Sequence, residues 1–230
     1  MKATIIKIWK LPTPKWVTIG SFIRTFGGIA SAIYLPIYFL KVYPDYKTQY
    51  SILNAFSLAI GGLISNMASG ILSDRLETKE NLTAKSKICI VSSFLAFPLT
   101  ALCCLVQNNF YFSITCITFK TLLSASFNSP AMTMMQNTTD TKEVGKIISG
   151  HMFYQTIAAT ICPLIFSKIA TGMGAPANPA LYGKILSVFA LIGYWGSIPF
   201  WWLAGRSYKD YMERKDQQSS DEQTLEVSPA

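Results

Sequence analysis

Lys120, Ser124 and Asn128 recur at four-residue intervals inside a long apolar stretch of the chain. In an α-helix this spacing places the three side chains on one face, so the pattern predicts a polar stripe. Lys120 lies about ten residues into the stretch, which is about 15 Å along a helix axis. A cation at that depth in a membrane is costly and indicates a functional site, here the wall of a solute cavity. A lysine that snorkels to the surface, or that contacts a backbone carbonyl, would give the same pattern.

Arg24 is the second ionisable residue within an apolar stretch, about 10–12 Å from its nearer end. Gly28 and Ser31 continue the same helical face. Contact with a transported solute and snorkelling both remain open for this arginine. Four further polar residues within the apolar stretches are candidates for a cavity wall: Tyr34, Tyr38, Asn54 and Gln155.

The acidic residues limit the ligands and the coupling that we expect. None of the 12 Asp and Glu residues lies deep in an apolar stretch. Proton coupling through a buried carboxylate is therefore not expected within this chain. Two buried cations without buried anions favour an anionic or zwitterionic solute, such as an organic anion or a lysophospholipid.

The residues that most often bind metals or form covalent intermediates are not arranged for chemistry. All 5 cysteines lie in apolar stretches without CxxC spacing, and His151 is the only histidine. We interpret the cysteines as small buried hydrophobic residues and predict no metal site or cofactor. No nucleophile–base pair or two-histidine motif suggests an enzyme.

Six long apolar stretches must position these candidates. They lie near residues 17–43, 48–73, 88–107, 110–135, 147–172 and 181–205. A membrane-spanning helix needs about 20 mostly apolar residues, whereas open strands leave backbone groups unsatisfied in lipid. Only 14% of the residues are charged, against about 25% in soluble domains. The sequence therefore predicts an all-α membrane protein with six transmembrane helices.

The second of these stretches carries a ridge of small residues. Ser57, Gly61, Ser65 and Ser69 recur every four residues along it. Small residues at this spacing let two helix backbones approach closely within a membrane. The ridge therefore predicts tight packing of the second helix against a neighbour.

Basic residues alternate between the two sides of the predicted bundle. Fourteen of the 20 Lys and Arg residues fall on one side and four on the other, and Arg24 and Lys120 are the remaining two. The positive-inside rule then places both termini in the cytoplasm. Because the net charge of +8 lies between the spans and not along one stripe, it does not indicate nucleic-acid binding. Composition does not distinguish the plasma membrane from an endolysosomal membrane.

The sequence predicts three parts of the chain. Residues 1–16 are a basic cytoplasmic lead-in, and residues 17–205 form the six-helix bundle. Residues 206–230 are polar, rich in Ser, Gln, Asp and Glu, and are expected to be a disordered cytoplasmic tail.

The end of the second stretch resembles the signature loop of the major facilitator superfamily, Gly-x-x-x-Asp-Arg/Lys-x-Gly-Arg/Lys-Arg/Lys. The matching residues are Gly70, Asp74, Arg75 and Lys79. Glu77 replaces the usual glycine and Thr78 replaces a basic residue, as in the weaker copy of this loop in the second half of such proteins. Residues 21–28 and 34–39 look like the seventh helix of Spinster-like members. Residues 129–139 look like the end of a tenth helix and its loop.

This resemblance implies that the six helices form the C-terminal half of a major-facilitator-type fold. The expected function is half of a secondary active or facilitative transporter, which moves a small organic solute by alternating access. The partner would be a second six-helix half, supplied by a missing N-terminal half, a homodimer or a separate subunit. The signature residues would hold the cytoplasmic helix ends together in one state and release them in another. The alternative is a non-transporting structural subunit of a membrane complex, built on a degenerate transporter half.

Overall fold

The computed structural model describes residues 8–107 and 109–226, and side chains as far as Ser219. Six helices in this part of the chain are long and apolar enough to cross a membrane. They are α1 (Pro12–Val42), α2 (Pro44–Leu76), α3 (Ala84–Leu105), α4 (Phe110–Asn137), α5 (Val144–Gly172) and α6 (Pro179–Ser219). Helices make up 89% of the structure, and the described residues contain no strand. The prediction of an all-α structure with six helices that are long and apolar enough to span a membrane is confirmed.

Helical structure extends past two of the predicted boundaries at the ends of the chain. Helix α1 already begins at Pro12, inside the predicted lead-in, because proline fits the first turn of a helix, where its missing N–H is not needed. The predicted disordered tail is helical as far as Glu226. Tyr208 is fully buried in that segment and packs in one cluster with Ile8 and Trp201. Composition assigned this segment to disorder, whereas Tyr208 at its start packs against the bundle. Residues 1–7 and 227–230 lie outside the described part.

The helices differ strongly in how much of their surface they bury. In the most apolar window of each helix, 39–44% of residues are buried in α1, α3, α4 and α6. In α2 only 22% of the residues in this window are buried, and in α5 only 17%. Large apolar side chains such as Phe56, Leu63 and Met67 on α2, and Leu164 on α5, are exposed. Helices α2 and α5 therefore lie at the periphery of the bundle and offer apolar faces to lipid or to a partner.

The small-residue ridge of α2 packs against α4, as predicted. Ser57, Gly61, Ser65 and Ser69 are all buried. The Ser57 hydroxyl lies 2.7 Å from the Thr118 hydroxyl on α4, and the Ser65 hydroxyl donates to the Leu122 carbonyl oxygen. The ridge brings α2 close enough to α4 for both helices to border one cavity.

Three helices change their geometry near that cavity. α2 passes through a π-helical turn at Ser57–Gly61, and α6 through another at Leu191–Trp195. α4 consists of two helical segments, Phe110–Ala125 and Asn128–Asn137. Pro130 lies in the first turn of the second segment, where it removes no helix hydrogen bond. π-helical turns are frequent at functional sites, and here each contains a residue of the cavity wall, Leu58 in α2 and Tyr194 in α6.

Candidate ligand cavity

A cavity of about 430 Å³ lies between α1, α2, α4, α5 and α6. Five of the sequence-predicted residues line it: Arg24, Asn54, Lys120, Ser124 and Gln155. They come from four different helices, so the fold assembles one site from residues that are far apart in sequence. The remaining wall is largely apolar and includes Leu35, Leu58 and Ile117.

The Arg24 guanidinium is held entirely by protein groups. Its two terminal nitrogens donate to the hydroxyls of Ser93 and Ser92 on α3 and to the Ser124 carbonyl oxygen on α4, 2.8 Å away. It also lies over the rings of Phe127 and Tyr194, at 4.2 and 5.1 Å from their centroids. Arg24 is only 2% exposed. This arginine does not snorkel. It ties α1 to α3 and α4 through its planar array of donors.

Lys120 has quite different surroundings. Its side chain is 8% exposed, and its ammonium lies 5.9 Å from the centre of the Tyr194 ring. Over the described residues, ion pairs join Lys85 to Asp74 and Glu77, and Lys209 to Glu213, so Lys120 takes part in none. No hydrogen bond to another described residue holds this ammonium either. The contact with a backbone carbonyl that the sequence left open is absent there, and Lys120 presents an uncompensated cation to the cavity.

The polar stripe of α4 does not continue to Asn128. The helix is interrupted at Ser126 and Phe127, so the four-residue spacing no longer keeps residues on one face. Asn128 is exposed and does not line the cavity. Ser124 does line it, and its backbone oxygen accepts the hydrogen bond from Arg24.

Tyr34 and Tyr38 also lie away from the cavity. The Tyr34 hydroxyl donates to the Pro163 carbonyl oxygen at 2.8 Å, and its ring stacks on Phe166. The fully buried Tyr38 donates to the Cys104 carbonyl oxygen at 2.7 Å. Both hydroxyls have protein partners, and both rings pack in or against the aromatic core between α1, α3, α5 and α6. Their contribution is to packing.

Two other tyrosines of the cavity wall were missed from sequence. Tyr50 on α2 and Tyr194 on α6 are 4% and 1% exposed, and both line the cavity. Neither buried hydroxyl has a hydrogen-bond partner among the residues with described side chains. An unsatisfied buried hydroxyl costs about 1–3 kcal/mol. In the sequence, Tyr50 lies near the start of the second apolar stretch and Tyr194 lies in the sixth, and neither position marks a cavity residue.

The signature-loop residues lie at the end of α2, apart from the cavity. Asp74 pairs with Lys85 at 3.5 Å, and Glu77 pairs with the same lysine. Lys85 is only 1% exposed, and its ammonium lies 5.9 Å from the Tyr208 ring centre on α6. Arg75 and Lys79, in contrast, are exposed. The charge network expected at Asp74 thus forms with Lys85, a residue outside the signature motif.

Gly70 has a packing role beside this network. A Cβ atom at Gly70 would lie 2.8 Å from the Ser129 hydroxyl of α4, which is closer than real side chains approach. The glycine therefore lets the end of α2 approach the second segment of α4.

All five cysteines are buried, and none forms a disulfide.

No family model, curated protein or solved structure matches this chain. What the cavity binds therefore has to be inferred from its own residues.

Proposed function

We propose that this chain is one half of a major-facilitator-type transporter, which moves a small organic solute across a membrane by alternating access. The observation that carries the proposal is the cavity within the six helices, into which Lys120 presents a cation that no residue with a described side chain neutralises. An intramembrane cation of this kind is costly, and such residues commonly mark solute pathways.

The location of the cavity supports transport. Its wall draws on five of the six helices, and π-helical turns lie in two of them. Transporter sites typically form where irregular helices border a cavity near the middle of the membrane. The groups that line the cavity can bind and release a solute without any covalent step.

A second six-helix unit is part of the proposal. Helices α2 and α5 expose apolar faces along much of their length. In alternating access one bundle rocks against the other around a fixed site. A homodimer, a separate subunit or a preceding half of a longer protein would each supply the second bundle. We further propose that both termini face the cytoplasm, which puts the Lys85 network on that side.

Solute counterflow tests this function. The chain would be purified from its native membrane with whatever copurifies, sized by native mass spectrometry and reconstituted into liposomes. We expect a second six-helix unit and saturable counterflow that Lys120→Met abolishes. Lys168→Met, which removes an exposed lysine of α5, is the matched control and should leave flux unchanged.

A stable complex without any counterflow would reject transport. That result would instead favour the structural alternative, in which the bundle serves assembly alone.

A further inference from the structure

We propose that the solute is a compact amphipathic organic anion with a single acidic group, which Lys120 binds with help from the Tyr194 and Tyr50 hydroxyls. This inference rests on the proposed function, because it specifies what the solute cavity takes. The proposal also gives the two buried cations different roles: Lys120 binds the ligand, and Arg24 holds helices together.

The first step concerns the two cations. Arg24 donates to Ser92, Ser93 and the Ser124 carbonyl oxygen, and two aromatic rings flank its guanidinium. Lys120 makes no hydrogen bond or ion pair with the residues that the structure describes. A ligand can therefore bind Lys120 without breaking protein contacts, whereas Arg24 would have to exchange several. Because Lys120 is the cation that a ligand can bind in this way, we expect the solute to carry a single negative charge.

The second step concerns the tyrosine hydroxyls. Tyr194 and Tyr50 line the cavity, are almost fully buried, and have hydroxyls without partners in the described part of the chain. The Lys120 ammonium lies over the Tyr194 ring. Both hydroxyl oxygens are themselves buried, so each would turn towards an acidic group beside Lys120 to donate a hydrogen bond to it. An acidic group supplies only acceptors, and bonds to an ionised acceptor are the strong ones.

The third step concerns the rest of the wall. Leu35, Leu58 and Ile117 represent the apolar side chains that cover most of it. A volume of about 430 Å³ lies in the range of sites for drug-sized ligands, about 300–1,000 Å³. The wall therefore suits an apolar body attached to the acidic group. Lys120 would repel a cationic solute, and a sugar would have no apolar surface to pack against the apolar wall.

Direct binding to the full chain in lipid nanodiscs tests the assignment. The probes are 2-naphthoate, its neutral analogue 2-naphthylmethanol, and 2-naphthyl phosphate, which carries more negative charge. We expect 2-naphthoate to bind at least 10-fold more tightly than the alcohol and no more weakly than the phosphate. Octanoate and octanol repeat the comparison with a flexible apolar body.

The variants separate the roles of the individual residues. Lys120→Met should weaken 2-naphthoate binding by about 10-fold or more and leave 2-naphthylmethanol binding unchanged, since a charge-assisted hydrogen bond is lost. Tyr194→Phe and Tyr50→Phe should each weaken 2-naphthoate by about 3-fold or more. Lys168→Met and Tyr182→Phe are the controls, because both residues lie outside the cavity wall, and neither should change the affinity.

Each outcome bears on one of the two proposals. If neither carboxylate binds more tightly than its alcohol, or if Lys120→Met has no effect, the anion site is wrong. Clearly tighter binding of 2-naphthyl phosphate would contradict the single charge and bring Arg24 into the site. Lys120-dependent binding of 2-naphthoate without counterflow in liposomes would leave the site standing and remove the transport function.

Discussion

At the level of single residues, Arg24 and Lys120 carry the same charge in different surroundings. The sequence identified both, because they are the only ionisable Lys or Arg residues deep inside apolar stretches. It did not separate their roles, since the serines that bind Arg24 come from α3, about seventy residues further along the chain. Nor did it reveal Tyr50 and Tyr194, whose hydroxyls have no hydrogen-bond partner among the side chains that the structure describes.

Arg24→Lys should lower stability by about 2 kcal/mol, because an ammonium cannot reproduce the fork of donors to Ser92, Ser93 and Ser124. Thermal unfolding of the purified protein in detergent measures this change. Lys120→Met is the reference, since it removes a cation that has no hydrogen bond to a described residue. Equal melting temperatures for Arg24→Lys and wild type would contradict the structural role of the arginine.

Tyr50→Phe and Tyr194→Phe should leave stability unchanged or slightly raised, because each removes a buried hydroxyl without a partner in the described structure. Tyr38→Phe is the matched control, since it loses the hydrogen bond to the Cys104 carbonyl oxygen. That variant should lose about 1 kcal/mol. The same unfolding assay compares the three, and a clear loss at Tyr194 would mean that its hydroxyl is already satisfied.

At the level of elements, hydropathy located the six helices but not their ends or their mutual approach. The polar end of α6 begins with Tyr208, whose buried position no composition rule indicates. The contact between α1 and α6 depends on two glycines. A Cβ atom at Gly193 would overlap the backbone of Gly27. That close approach sets Tyr194 over Arg24 and Lys120.

Gly193→Ala should therefore destabilise the protein by about 1–3 kcal/mol, since α1 and α6 must separate to accept the methyl group. Gly28→Ala is the control, because no atom lies within 4 Å of a Cβ at Gly28. In a helix interior that change should stabilise by about 0.5–1 kcal/mol. Unfolding curves that shift in the same direction for both variants would show that the glycine contact does not hold α1 and α6 together.

At the level of the whole molecule, the bundle has a buried centre and two peripheral helices. The number of spans follows from apolar length and could be predicted. The cavity could not, because it depends on which helix faces meet, and the interruption of α4 turns Asn128 away while Tyr50 turns inward. The proposed transport cycle requires that this one cavity open to each side of the membrane in turn.

Labelling of a cysteine at Gly28 tests that requirement most directly. Gly28 lines the cavity and has open space around it, so Gly28→Cys should fit without distortion. The five native cysteines are buried, and wild-type protein in native vesicles provides the blank. Ala30→Cys, on the buried face of α1, is the negative control.

The account predicts that a membrane-impermeant maleimide labels Gly28→Cys in both right-side-out and inside-out vesicles, and that excess 2-naphthoate slows the labelling. Labelling from one side only, under every condition, would contradict alternating access through this cavity.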